Sequence, residues 1–127
     1  MTTIPENLKY TKDHEWVLLE GTTATIGITD FAQSELGDVV FVDLPKAGKQ
    51  LKQKDVLCVV ESTKAASDVY APISGTVREA NAVLGGAPET LNRDPYTAGW
   101  LAKIDGVSAA EVAVLMDATQ YRALVGE

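Results

Sequence analysis

The residue in this chain best placed to do chemistry is Lys64. It lies in Glu61-Ser62-Thr63-Lys64-Ala65-Ala66-Ser67-Asp68, between two runs of strand-forming residues and among small neighbours. If the segment is a β-turn, Lys64 stands at its tip, its amine open to a partner's active site. Acids mark both ends of the turn, Glu61 and Asp68. Loops held on a rigid sheet are where functional groups concentrate. The plain alternative is a solvated charge in a polar turn.

Other chemistries run short of residues. The chain holds one histidine, His14, and one cysteine, Cys58. A zinc site of His/Cys type lacks ligands. A nucleophilic triad could use only His14, and no G-x-S-x-G elbow is present. Neither a phosphate-binding G-x-x-x-x-G-K-[ST] loop nor a G-x-G-x-x-G turn occurs. A net charge of −7 argues against nucleic-acid or anionic-membrane surfaces, which need clustered positive charge. The longest strongly apolar run is five residues, Val56 to Val60, too short for a bilayer. Met1 to Glu6 has no basic end followed by an apolar stretch, so no secretory signal is expected. The expected location is the cytoplasm, with a processed organelle form left open. Cys58 cannot form an internal disulfide, and its apolar surroundings suit a small core residue.

The elements that must position Lys64 read as β. With 127 residues and 46% hydrophobic content, one domain over 1–127 is expected. Strand-forming runs occur at 23–29, 39–44, 55–61, 68–71, 75–80 and 99–104, punctuated by Gly and Pro. The 55–61 run is apolar on both faces, which suits a strand buried between layers. A short helix is expected over Asp30–Leu36, capped by Thr29 or Asp30 and stopped by Gly37. Ser108-Ala109-Ala110-Glu111 fits a capping box. Val112, Leu115 and Met116 then share one helical face, and Asp117 can cap a further turn with Tyr121, Leu124 and Val125 on its apolar side. This helical tail, about 108–125, is expected to pack across the sheet. Trp16 and Trp100 are expected core anchors.

Glu61-Ser62-Thr63-Lys64-Ala65 closely resembles the lipoyl-attachment motif of the H-protein family of the glycine cleavage system. Leu8-Lys9-Tyr10 with His14-Glu15-Trp16-Val17, the 24–30 stretch with Ala32-Gln33, the 36–42 stretch, Ala71 to Gly75, and Pro95-Tyr96 with Gly99-Trp100-Leu101 extend the likeness. It covers roughly residues 8 to 125. Biotinyl domains typically read Met-Lys-Met and those of 2-oxoacid dehydrogenases Asp-Lys-Ala, and Thr63-Lys64-Ala65 fits neither well. Two departures exist. Lys52-Gln53-Lys54-Asp55 lacks a glycine that many members carry, and the short helix offers Phe31 and Glu35 where some members place a cleft-covering histidine.

The resemblance implies an all-β, lipoyl-domain-type barrel-sandwich hybrid of two small antiparallel sheets, with a short internal helix and a helical C-terminus. It implies a carrier and no enzyme, with lipoate joined by an amide to Lys64. Implied partners are the pyridoxal-phosphate-dependent glycine decarboxylase, the tetrahydrofolate-dependent aminomethyltransferase, the FAD-dependent dihydrolipoamide dehydrogenase, and a lipoyl-attaching ligase or transferase. No nucleic acid or membrane partner is implied. Glu61 either helps recognition by the attaching enzyme or pins the turn. Gly75, eleven residues after Lys64, serves recognition or backbone geometry. Glu15 and Asp68, with Asp13 nearby, are the candidates for a cleft holding an aminomethyl amine, and His14 is either structural or part of that cleft. An H-like lipoyl relay or regulatory module, or a lipoyl carrier domain of another complex, are the alternatives.

Overall fold

The computed structural model describes residues 3–126. Nine strands form two antiparallel sheets. The larger has six strands in the order β1 (Lys9–Tyr10), β2 (Glu15–Glu20), β3 (Thr23–Ile28), β9 (Ala102–Asp105), β8 (Gly75–Ala80) and β5 (Gln50–Leu51). The smaller has three, with β6 (Val56–Ser62) between β4 (Val39–Asp43) and β7 (Ala66–Tyr70). The main core lies where their inner faces meet. Val17, Ile26, Val42, Val60, Val77 and Ile104 are among its buried side chains. This is the expected barrel-sandwich architecture.

Helix α1 (Asp30–Leu36) forms as its sequence dictates. Thr29 Oγ1 accepts the Ala32 N–H at 3.2 Å, and the Gly37 N–H closes onto the Gln33 carbonyl. Gly37 has φ +80° and ψ −157°, a region favouring glycine but outside the left-handed helical one common at helix ends. Two short helices that the sequence did not suggest, α2 (Val83–Gly86) and α3 (Thr90–Arg93), lie in the stretch around Gly-Gly-Ala-Pro. Asn92 of α3 holds the end of α1. Its amide donates to the Gly37 carbonyl and the Gln33 Oε1, and its Oδ1 accepts the Val39 N–H.

A second buried cluster lies between the sheet and the tail. Trp16, Tyr10 and Tyr121 are its large members, and Tyr10 and Tyr121 stack at 4.7 Å. Burying an aromatic side chain of 150–250 Å² contributes roughly 4–6 kcal/mol at 25 cal/mol per Å². Trp16 lies across Gly27, its partner on β3, where any Cβ would come within 2.6 Å of the indole. Its Nε1–H donates to the Pro95 carbonyl at 3.0 Å.

Several expectations need correction. The 55–61 strand is not buried on both faces: Val56 is exposed, and a register shift between Val56 and Cys58 puts Leu57 and Cys58 both inward. The last strand begins at Ala102, because 95–99 forms a turn ahead of it. Ser108 makes no side-chain cap. Glu111, its expected partner, instead accepts the Ser74 N–H at 2.8 Å and the Ser74 hydroxyl at 3.0 Å, tying the tail to the β7–β8 turn. The tail is two helices, α4 (Ala109–Ala113) and α5 (Ala118–Val125), separated by a backbone bridge from Met116 to Tyr10. Leu115 therefore packs on the main core and Met116 on the tail cluster, so the two do not share a helical face. Asp117 does cap α5, with a full capping box to Gln120, but Leu124 is exposed. Trp100 is only partly buried, at the edge of the tail cluster with the Lys103 ammonium 5.2 Å from its ring.

Candidate functional site

Strands β6 and β7 form a hairpin whose connecting residues are Thr63, Lys64 and Ala65. Ser62 builds the turn. Its backbone N–H donates to the Ala65 carbonyl at 2.9 Å, and its Oγ accepts the N–H groups of Lys64 (3.1 Å) and Ala65 (3.3 Å). A serine bonding to the backbone two and three residues on favours this turn. The Thr63 N–H donates to the Asp38 carbonyl at 3.0 Å, fastening the tip to the α1–β4 connection. The Lys64 side chain is exposed and passes over Gly37. A Cβ there would stand 3.3 Å from Lys64 Cε, so the glycine leaves a shelf for the methylene stem. Among the described residues no ion pair involves Lys64. An exposed primary amine on a braced turn, beside a flat shelf, fits a group joined to it by an amide.

A groove of about 330 Å³ runs along β7 from Ser67 to Tyr70. The structure brings four expected residues together there: Asp13, His14, Glu15 and Asp68. Asp68 is four residues from Lys64, roughly 13 Å along the strand. Ile28, Ala32, Leu36 and Val69 supply apolar walls, and Glu35 adds a further carboxylate. A groove with apolar walls and several carboxylates suits a chain of methylenes ending in a cation.

Glu15 is the unusual member, a carboxyl only 3% exposed. Thr11 holds it from the preceding loop, its hydroxyl donating to Glu15 Oε1 at 2.6 Å, and the Tyr70 N–H approaches Oε2 at 3.4 Å. Burial pushes the carboxyl up to about 7, with the Asp13 charge acting in the same direction and the two hydrogen bonds against it. Glu15 also borders a second hollow, of about 260 Å³, lined by Tyr70, Pro72, Leu115 and Met116 among others.

His14 borders the groove but is held structurally. Its Nδ1 meets the Tyr121 hydroxyl at 2.7 Å, and its ring lies 4.7 Å from Phe31. Thr29 Oγ1, the cap of α1, meets the same hydroxyl at 2.7 Å. Burial lowers the His14 pKa below its ordinary value. The φ of +69° at His14 is a left-handed conformation that costs a non-glycine residue roughly 1–2 kcal/mol.

Glu61 is exposed, opposite Phe41 and Ala66. Gly75 does not have a positive φ. It opens β8, where a Cβ would come within 2.5 Å of both the Asp105 carbonyl and Ile104 Cγ2. Glycine is needed there for close approach to β9. The sequence reading missed the Thr29–Tyr121–His14 connection, which joins residues 92 and 107 positions apart. It also gave Thr11 no role, although a hydroxyl four residues before a buried glutamate was a usable signal. Among the described residues no cluster could hold a metal ion, and no helix is long and apolar enough to cross a membrane.

Comparison with known proteins gives the same picture from sequence and from structure. Residues 8–127 match the family described as glycine cleavage H-protein. A glycine cleavage system H protein from Caulobacter vibrioides is 57% identical over 94% of this chain and 98% of its own length. One from Pelodictyon phaeoclathratiforme is 54% identical over 98% of this chain and 99% of its own. The crystal structure of a glycine cleavage system H protein from Mycobacterium marinum superposes with a TM-score of 0.89 at 38% identity, covering 98% of this chain and all of that one. The chain belongs to the glycine cleavage H-protein family.

Proposed function

We propose that this chain is the lipoyl-lysine carrier of a glycine cleavage system, with Lys64 as the attachment residue. The observation that carries the reading is the pairing of an exposed amine on a braced hairpin with an acid-lined groove along β7 of the same hairpin. When attached, lipoate supplies a disulfide that can accept an aminomethyl group and be restored by oxidation of the dithiol. The whole chain, 1–127, acts as one carrier domain.

The residues divide the work. Ser62 and the Thr63–Asp38 bond keep the tip rigid, so a partner meets Lys64 in one place. Gly37 leaves room for the stem to swing down onto α1. The apolar walls of the groove exclude water from the arm. Glu15 and Asp68, with Asp13, hold the terminal amine by charge-assisted hydrogen bonds. The Glu15 carboxyl must be ionised to do so, and the ammonium itself favours that form. His14 keeps the loop in place through Tyr121.

In this reading the chain catalyses nothing itself. It works in the cytoplasm with the glycine decarboxylase, the aminomethyltransferase, dihydrolipoamide dehydrogenase and an attaching ligase or transferase. Tethering raises the effective concentration of the carried group at each of them. A reconstituted system tests this. Glycine-dependent release of carbon dioxide should require the lipoylated chain and stop without it; equal release with unlipoylated chain would refute the carrier role.

A further inference from the structure

The outer face of the three-stranded sheet carries two large apolar side chains that neither line the groove nor enter the cores. Val40 and Phe41 are 55% and 51% exposed, side by side in β4. A register shift between Val39 and Phe41 inserts an extra residue and turns both outward, while Val39 and Val42 stay buried. Phe41 lies opposite Glu61, and Glu61 opposite Ala66, the residue that ends the tip. The next row on this face is Asp43, Val59 and Asp68. The result is an apolar patch bordered by carboxylates, on the sheet that carries Lys64. Nothing in the packing of the fold needs two large apolar side chains exposed there, and an apolar centre with a polar rim is the anatomy of an interface.

We propose that the Val40–Phe41 patch is the docking surface for the enzyme that acylates Lys64, which meets it with an apolar socket rimmed by basic residues. The inference rests on the reading of Lys64 as the attachment residue. Reach selects this partner over the others. An enzyme that forms a bond at Nζ must bring its active site within one lysine side chain of the hairpin backbone. A usual footprint of about 800 Å² per partner then covers the residues beside the tip. Enzymes acting on the far end of the arm meet it well away from the hairpin and can leave the patch uncovered. The chain's net charge of −7, with Glu61 and Asp43 at the border, sets the complementary sign of the rim.

The test measures initial rates of lipoate attachment by a lipoate–protein ligase with ATP and lipoate. Full-length wild type is compared with Phe41→Ser, Val40→Ser and, as a distant control, Leu124→Ser, which changes an exposed residue of α5. Thermal melting confirms that each variant folds. Phe41→Ser should lower kcat/KM roughly tenfold, mainly through KM, with Val40→Ser lower by a smaller factor and the control at the wild-type rate. Variants driven to complete attachment should then serve the glycine decarboxylase at the wild-type rate. Attachment at the wild-type rate in both patch variants, or equal slowing with the decarboxylase, would overturn the proposal. Failure of the wild type to be modified would instead overturn the reading of Lys64.

Discussion

At the hairpin tip the proposed attachment group is an exposed amine, fixed by the backbone bonds of Ser62 and Thr63 and touched by little else. Across the groove, on β2, the proposed holding group is the Glu15 carboxyl, 3% exposed, gripped by Thr11 and pushed up to about 7 by its own burial. The two regions sit on different sheets, Lys64 on the hairpin of the three-stranded one and Glu15 on β2 of the six-stranded one. An amine that another enzyme must acylate has to be presented, so its surroundings are small residues and backbone. A labile cargo that the chain itself must protect has to be enclosed, so its surroundings are apolar walls and a desolvated acid. In the proposed reading, the chain encloses the carried group and leaves the bond-making at Lys64 to a partner.

The largest effect is expected at the tip. Lys64→Arg keeps the charge but removes the amine that forms the amide, and attachment should fall to zero as read by intact mass. Attachment to this variant would move the site to another lysine. In the groove, Glu15→Gln should speed loss of the aminomethyl group from the loaded chain by about ten- to a hundredfold, the worth of a charge-assisted hydrogen bond of 1.5–3 kcal/mol. Asp68→Asn should have a smaller effect, because Asp68 is exposed and its interactions are screened. Unchanged release in both would remove the acids from the holding role.

The buried acid also sets a pH dependence. Between its unfolded value of 4.5 and about 7, the folded chain holds a Glu15 proton that the unfolded chain has released. Stability therefore falls as pH rises through that window, and is flat with respect to this group above it. Glu15→Gln should remove that slope, seen in the difference between wild-type and variant unfolding free energies. Retention of the carried amine should change the other way, improving as pH rises toward 7 and Glu15 ionises.

Two smaller effects are expected in the residues that support the hairpin and the groove. Gly75→Ala should cost about 1–3 kcal/mol by forcing β8 from β9, while the folded protein accepts lipoate at the normal rate. A normal melting temperature with slowed attachment would assign Gly75 to recognition instead. Tyr121→Phe removes the hydroxyl shared by His14 and Thr29 and should lower unfolding free energy by about 1–2 kcal/mol. Loaded amine should escape somewhat faster, but less so than in Glu15→Gln.

Local signals were readable where local forces decide. Thr29 and Gly37 bound α1, Asp117 starts α5, and the small residues around Lys64 mark the turn. The family resemblance pointed to Glu15, Asp68, Asp13 and His14, and the structure places all four on one groove. What escaped was decided by distant partners. Strand β2 shows no alternation, because Trp16 faces the tail cluster and its neighbour Val17 the main core, so both are buried in succession. The Ser108–Glu111 box is lost because Ser74, far along the chain, offers Glu111 a hydroxyl and an N–H. The bulge at Val56–Cys58 turns a two-sided apolar run into a one-sided strand, which no period could reveal. Helices α2 and α3 form across Gly-Gly-Ala-Pro because buried Leu84 and Leu91 anchor them.

In the proposed function, Lys64 is the residue on which the carried group rides. Intact mass and peptide mapping of the full chain, incubated with lipoate, ATP and a lipoate–protein ligase, test it most directly. One added lipoyl amide, confined to the peptide containing Lys64, is the expected result. No added mass, or a lipoyl group on any other lysine, would contradict the account.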